Sequence, residues 1–323
     1  MSTSAESARR AARPVQGIDG PVLIVRGSER YPAALNDLAS PPKRLFALGD
    51  LETLERAPAR LVAIVGTRDA SPYGVQVAGD LARAFVRAGV GVVSGMARGV
   101  DRAAHEAALE AGGRTIAVLG TGVDVPYPAS HRALHARIAV EGLVLSENEP
   151  GTTAYPGAFP RRNRIIAALA AATIVVEAPF KSGAVNSASH ANELGRDVGA
   201  IPGQIDSPRC AGSNQLLRDG AHVLASIDDA LALMGLDPQR VESVPKLDYE
   251  AGRIWEALAA GPSSADGLSV RLGMSIRQVL ELSSGLELRG LVASRADGTL
   301  SRRSLDGQNA SLQTKMSPPD LKG

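Results

Sequence analysis

Between residues 61 and 201 one pattern recurs six times: a short apolar run, then Gly, Ser or Pro close behind it, then a stretch with helical spacing. The runs occupy 61–65, 90–93, 115–119, 143–145, 173–176 and 197–201. Uninterrupted apolar runs of this length suit strands covered on both faces, which is how parallel strands are buried. The intervening stretches predict helices near 73–88, 100–110, 131–140, 162–170 and 187–194. Strands alternating with helices imply an α/β fold built on an open, doubly wound parallel sheet. Ligands of such sheets sit outside the carboxyl ends of the strands. Two further segments, 214–218 and 227–234, close the domain near residue 235.

The flanks read differently. Residues 1–15 are small, polar and basic; Arg9, Arg10 and Arg13 precede no apolar stretch, so a disordered tail is expected and not a secretory signal. Residues 16–60 hold short apolar pieces broken by Tyr31-Pro32 and Pro41-Pro42, and read as a lead-in that packs on the sheet domain. Residues 236–248 read as a linker. Over 249–303 the order helix, helix, turn, helix, hairpin predicts a small winged-helix domain, with Ser263-Ser264-Ala265-Asp266 opening one helix and Gly273-Met274-Ser275 turning into the next. A second disordered tail is expected over 304–323. No apolar run reaches the roughly 18 residues that a membrane helix needs.

Charge narrows the function. The chain of 323 residues carries 35 basic and 34 acidic side chains, so no polybasic coat exists and any polyanion must be met by a local groove. A single cysteine, Cys210, excludes an internal disulfide and a cysteine zinc site, and suits a reducing compartment. Gly66 begins no G-x-G-x-x-G, Gly120-x-Gly122 runs into Pro126 and Pro128, and G-K-[ST] is absent. A P-loop nucleotidase is thereby excluded, a nicotinamide enzyme is not expected, and no cofactor or metal is called for.

Candidate binding residues gather at predicted strand ends. The first strand stops at Gly66-Thr67-Arg68 and the second at Ser94-Gly95-Met96-Ala97-Arg98, an arginine standing at the same place in both turns. Phe159-Pro160-Arg161-Arg162-Asn163-Arg164 is the sharpest feature. With Pro160 opening a helix, three arginines would crowd its first turn against the macrodipole, a cost that a bound polyanion reverses. Phe159 serves equally as a base-stacking ring or as core. Lys181-Ser182-Gly183 supplies a cation, a hydroxyl and flexible backbone at another strand end, with Asn186 and Ser187 as caps of the next helix; a plain loop is an equal reading. Asp101 and His105 share a helix face and read as local support, not as an acid–base pair. The winged-helix segment carries seven basic and six acidic side chains, too balanced for a typical duplex reader, and suits a weak DNA binder or a protein contact alike.

Taken together these stretches resemble one family. Ala63-Ile64-Val65-Gly66-Thr67-Arg68, Ser94-Gly95-Met96-Ala97-Arg98-Gly99-Val100-Asp101, Tyr127-Pro128, the Phe159–Ile166 segment, Ser182-Gly183-Ala184, Pro202-Gly203 and Arg218-Asp219-Gly220-Ala221 occur in the order and spacing of the DprA/Smf family, DNA-processing protein A. The resemblance spans about residues 30–225. It implies an extended Rossmann-like domain and a cytoplasmic bacterial protein that binds single-stranded DNA, protects incoming strands and loads the recombinase RecA during natural transformation, with no enzymatic activity. With the strand-end reading above, DNA contacts are expected at Gly66, Thr67, Arg68, Ser94, Gly95, Arg98, Phe159, Arg161, Arg162, Asn163, Arg164, Lys181, Ser182 and Gly183. The resemblance implies a homodimer formed through Leu216, Leu217, His222 and Val223. Three departures stand out: the segment before Tyr31-Pro32 is too short for the helical N-terminal domain of many members, Ser187 replaces the usual Thr, and Tyr155-Pro156-Gly157 stands where some members carry a Lys. The alternative is a nucleotide-cleaving phosphoribohydrolase of the lysine-decarboxylase-like (LOG) family, whose P-G-G-x-G-T-x-x-E is here Ala178-Pro179-Phe180-Lys181-Ser182-Gly183 with no Glu before Glu193.

Overall fold

The structure, a computed structural model, describes residues 20–55, 61–236, 247–258, 261–289, 291–294 and 298–302. The two expected tails, most of the linker and Asp297 of the hairpin lie outside the described residues. The chain divides into two compact units, Met1–Val241 and Glu242–Gly323.

The first unit holds nine strands: β1 (Val22–Val25), β2 (Arg44–Gly49), β3 (Leu61–Val65), β4 (Gly91–Ser94), β5 (Thr115–Leu119), β6 (Leu143–Ser146), β7 (Ala172–Val175), β8 (Asp197–Ala200) and β9 (His222–Val223). Its helices are α1 (Glu52–Glu55), α2 (Pro72–Arg87), α3 (Val100–Glu110), α4 (Arg132–Glu141), α5 (Ala158–Leu169), α6 (Gly183–Glu193), α7 (Ala211–Arg218) and α8 (Ile227–Leu233). The strands form one sheet in the order β1-β2-β6-β5-β4-β3-β7-β8-β9. The seven strands from β6 to β9 are parallel, as the uninterrupted apolar runs require.

The lead-in is more than a covering segment. β2 pairs antiparallel with β6, with Phe46 opposite Ser146, and β1 pairs antiparallel with β2, so both extend the sheet. Runs such as Val22–Val25 are too short, and too exposed on one side, to announce themselves as strands; Leu23 is 52 % exposed.

Period-two alternation divides the core between the two faces of the sheet. On β3, Leu61, Ala63 and Val65 face a cluster with Ile165, Leu169 and Ala188 of α5 and α6. Val62 and Ile64 face the opposite cluster, with Leu81, Phe85 and Ala104 of α2 and α3. The chain therefore leaves β3 toward one face and β7, its neighbour, toward the other. That divergence is a topological switch point, and it opens a crevice at the carboxyl edge.

Two helix starts differ from the sequence expectation. α5 begins at Ala158 behind Gly157, which holds φ +87° in the left-handed region. Pro160 then occupies the third helical position, where its missing N–H costs nothing because the first turn's amides have no intrahelical partner. Arg161, Arg162 and Arg164 consequently lie beyond the first turn, so the argument from macrodipole repulsion loses most of its force. α6 begins at Gly183 and is capped by Ser182, whose Oγ accepts from the Val185 amide at 3.4 Å, in place of Asn186 or Ser187.

The second unit comprises α9 (Tyr249–Ala257), β10 (Ser263–Ser264), α10 (Ala265–Leu272), α11 (Ile276–Leu288), β11 (Val292–Ser294) and β12 (Thr299–Arg302). Ser264 caps α10, Gly273 ends it in the left-handed region, and Ser275 with Gln278 forms a capping box at the start of α11. Ile254, Trp255, Leu268, Val279, Leu286 and Leu300 are the centre of a separate core. The sheet has three strands, β10-β12-β11, one more than the expected hairpin.

Candidate functional site

Three turns and one helix end meet at the switch point. After β3, the Thr67 amide donates to the Glu177 carbonyl at 2.7 Å, tying the β3 turn to the β7 turn. Gly66 is obligatory there: a Cβ would stand 2.5 Å from Val100 Cγ2 and 2.9 Å from the Glu177 oxygen. After β4, the Ser94 hydroxyl donates to the Ile64 carbonyl at 2.7 Å. The Asp101 Oδ2 accepts the amides of Gly95 (3.1 Å) and Ala97 (3.3 Å), which fixes the course of the turn ahead of α3. Burial pushes the Asp101 carboxyl up, against the pull of Arg162 and of these amides.

Arg162 enters from α5 and is 6 % exposed. One terminal nitrogen donates to the carbonyls of Gly95 (2.6 Å) and Val118. Burial lowers its pKa to about 10; Asp101 opposes the shift and the repulsion of Arg68 adds to it. It stays charged at neutral pH, a cation held beneath the cleft by carbonyl dipoles and a buried carboxylate. Asn163 donates from Nδ2 to the Gly183 carbonyl (3.1 Å) and to Asn186 Oδ1 (3.1 Å), joining the start of α5 to the start of α6.

Between these parts lies a cleft of about 390 Å³, lined among others by Gly66, Thr67, Arg68, Asp101, Phe159, Arg162, Asn163, Ser182 and Gly183. A second hollow of about 230 Å³ shares Arg68, Phe159 and Arg162 with it and adds Gly95, Arg98, Tyr127 and Ser130. Phe159 is therefore neither purely core nor alone. Its ring lies 4.8 Å from the Tyr127 ring, and the Arg68 guanidinium lies 5.5 Å from its centroid. Tyr127 entered the sequence reading only through the Tyr127-Pro128 motif and Ser130 not at all; the loop after β5 brings both to this hollow.

The structure does not bring all the singled-out arginines here. Arg161 and Arg164 both turn to Glu147, at 3.0 and 2.7 Å, and Arg161 lines a separate hollow with Lys43 and Arg44. Ser94 is buried under the β4 turn. Lys181, next to Ser182 of the cleft lining, stands exposed with φ +55°, unusual for a residue with a side chain. Among the described residues no carboxylate oxygen lies within 4.0 Å of Arg68, Arg98 or Lys181, whereas Arg161, Arg164 and, against Asp69, Arg209 are paired. Of the residues singled out for dimerisation, Leu216 is buried, Leu217 packs against the core, and His222 and Val223 are exposed on the edge strand β9.

His105 lies deeper. Its Nδ1 is 2.6 Å from Thr115 Oγ1, and that hydroxyl's proton goes to the Val92 carbonyl at 2.9 Å. Nδ1 must then be the donor, leaving a neutral ring. Burial, followed by Arg162 and His131, drives its pKa down to about 3. Its buried ring joins α3 to β5 through Thr115.

Comparison with known proteins completes the picture. The family model for DNA recombination-mediator protein A matches residues 22–235, and that for the DprA winged helix domain matches 238–298. The chain belongs to the DprA/Smf family. It is similar to DNA processing protein DprA of Bacillus subtilis, 39 % identical over 219 residues, 68 % of this chain and 72 % of that one. It is likewise similar to protein Smf of Escherichia coli, 32 % identical over 289 residues, 85 % of this chain and 76 % of that one. The crystallographic DprA of Streptococcus pneumoniae superposes with a TM-score of 0.62 at 39 % identity, over 68 % of this chain and 75 % of its own. DNA processing protein A of Helicobacter pylori gives 0.60 at 33 %, over 66 % and 94 %; that structure describes a unique single-stranded DNA binding mode. The two solved relatives share the mixed α/β architecture over about two thirds of this DprA/Smf chain, and the winged helix is matched by its own family model. Among the described residues no helix is long and apolar enough to cross a membrane.

Proposed function

We propose that this chain binds single-stranded DNA in the switch-point cleft and, by doing so, protects incoming strands and loads a RecA-type recombinase in the cytoplasm, without catalysing a reaction. One observation carries the reading. Arg68 and Arg162 line both hollows, Arg98 lines the second, and Lys181 precedes Ser182 of the first, beside the Phe159–Tyr127 ring pair; among the described residues no carboxylate lies within 4.0 Å of Arg68, Arg98 or Lys181. Charge grips a backbone, and an aromatic face takes any base. The mutual repulsion of Arg68 and Arg162 is relieved by an anion between them. Arg161 and Arg164, already paired with Glu147, contribute less.

Binding without catalysis is favoured by the state of Asp101, the one carboxylate among the residues lining the cleft. Its Oδ2 is taken by two amides and it has no water-facing role in this geometry. Family membership and the solved Helicobacter relative support the DNA ligand; the recombinase partner and the transformation role rest on the family resemblance. A homodimer formed by pairing of the β9 edges fits the exposure of His222 and Val223. The test is binding to single- and double-stranded oligonucleotides at two salt concentrations, with the oligomeric state measured alongside and co-sedimentation with RecA on the single strand. Tighter, salt-sensitive single-strand binding is expected; equal or absent binding overturns the reading.

A further inference from the structure

The cleft explains Phe159 but leaves Phe180 without a role. The chain has four Phe. Phe85 is wholly buried and Phe46 and Phe159 are half-buried, yet Phe180 is 62 % exposed. It sits in the turn from β7 into α6, between Pro179 and Ser182, which both line the cleft.

That turn is clamped at both ends. The amides of Gly212 (2.7 Å) and Ser213 (3.2 Å) donate to the Ala178 carbonyl. A Cβ on Gly212 would strike the Pro179 carbonyl, so α7 presses directly on this backbone. On the other side, Asn163 holds the Gly183 carbonyl and Ser182 caps α6. Only Phe180 and Lys181 project beyond the clamps. Lys181 adopts φ +55°, and its ammonium lies 5.6 Å from the Phe180 ring centroid. The cation covers one ring face and leaves the other to solvent. A rigid stalk, a strained backbone and a ring held outward beside a carboxylate-free lysine are not what packing alone would select.

We propose that Phe180 is a second base-stacking platform, on the wall of the cleft formed by the β7–α6 turn, for a nucleotide next to the one that stacks on Phe159. Lys181 meets the phosphate between them. This inference rests on the single-stranded DNA reading above and deepens it: the bound polymer is splayed, its backbone in the cleft and neighbouring bases turned to two walls. Base–aromatic stacking is indifferent to sequence, because every base has a π face.

The experiment is fluorescence anisotropy of labelled oligo-dT with the full chain and single variants at an exposed position that no fold contact depends on. Phe180→Ala is expected to weaken binding about fivefold, the low end for one stacked base. Phe180→Tyr should bind within about twofold of the unaltered chain, and Phe180→Leu, apolar but without a π face, should be as weak as Phe180→Ala. An abasic deoxyribose-phosphate oligomer should bind the unaltered chain and Phe180→Ala equally. Ile205→Ala, at a residue 99 % exposed on the turn after the adjacent strand β8, should change nothing. If the unaltered chain binds oligo-dT but Phe180→Ala matches it, or Phe180→Leu keeps full affinity, the platform is refuted and the DNA reading stands. If the unaltered chain fails to bind oligo-dT, both fall.

Discussion

Removing the two exposed cleft arginines, Arg68→Ala with Arg98→Ala, should change the salt dependence of DNA binding by a calculable amount. Each side chain is exposed and, among the described residues, has no carboxylate within 4.0 Å, so neither loss leaves a buried charge orphaned and the fold should survive. On a single strand each neutralised phosphate contributes a slope of about −0.7 in log K against log salt. Two lost contacts therefore flatten the slope by about 1.4. Taking 1 M salt as the point where the electrostatic term vanishes, that is about a 25-fold weakening at 0.1 M, or roughly 1.9 kcal/mol. Arg161→Ala is the internal control, because its guanidinium already faces Glu147 at 3.0 Å in another hollow. The assay is an anisotropy titration of oligo-dT at several salt concentrations from about 50 to 500 mM, the range over which such slopes are read. An unchanged slope in the double variant, or an equal flattening in Arg161→Ala, would show that the cleft is not where the backbone lies.

Three more outcomes follow from the same geometry. Gly95→Ala puts a Cβ 2.5 Å from the Arg162 guanidinium and must displace it; DNA affinity should fall at least about tenfold, and loss of its carbonyl bonds, worth about 2 kcal/mol, should lower Tm by about 4–8 °C in calorimetry. His105 takes its proton at about 3 when folded but near 6.5 when unfolded, so its stabilising effect is complete above 6.5 and is lost as pH falls toward 3. Urea titrations should show His105→Gln losing about 2 kcal/mol less than the unaltered chain between pH 7 and 5, and superimposable pH profiles would refute it. Val223→Glu, on the exposed edge strand, should shift the sedimentation profile from dimer to monomer and leave DNA contacts in the cleft intact.

The sheet was legible because its central strands are short, mostly apolar runs buried on both faces. Leu61–Val65 is buried throughout, and nothing but a covered parallel strand accommodates such a run. The turns were legible for the reason that made them functional: glycines where the backbone must pass Val100 or the Arg162 guanidinium. Legibility failed where a partner lies far along the chain. Glu147 looks like any loop carboxylate, yet it absorbs two of the three arginines fourteen and seventeen residues on. Tyr127 joins Phe159 only because the chain leaving β5 passes the start of α5, where Gly120 meets the Phe159 ring. The start of α5 was misplaced because Pro160 was read as a first helical residue, while Gly157, by entering the left-handed region, allowed the helix to begin two residues before the proline.

The division among the arginines also bears on what kind of polymer the cleft can hold. Arg162 cannot read a base edge: one of its terminal nitrogens is spent on two carbonyls, and its position is fixed before any ligand arrives. Asn163, the other residue suited to base recognition, has its amide nitrogen engaged by Gly183 and Asn186. Among the described residues around the cleft, Arg68, Arg98 and Lys181 carry charge that no carboxylate within 4.0 Å pairs, and Phe159, Tyr127 and Phe180 offer exposed or half-buried rings. Such groups recognise features common to every nucleotide. They also require that the bases be unstacked from a complementary strand, since a duplex hides the faces that the rings need. On the proposed single-strand reading, a preference for unpaired strands without a preference for sequence follows from which polar atoms the fold has already used.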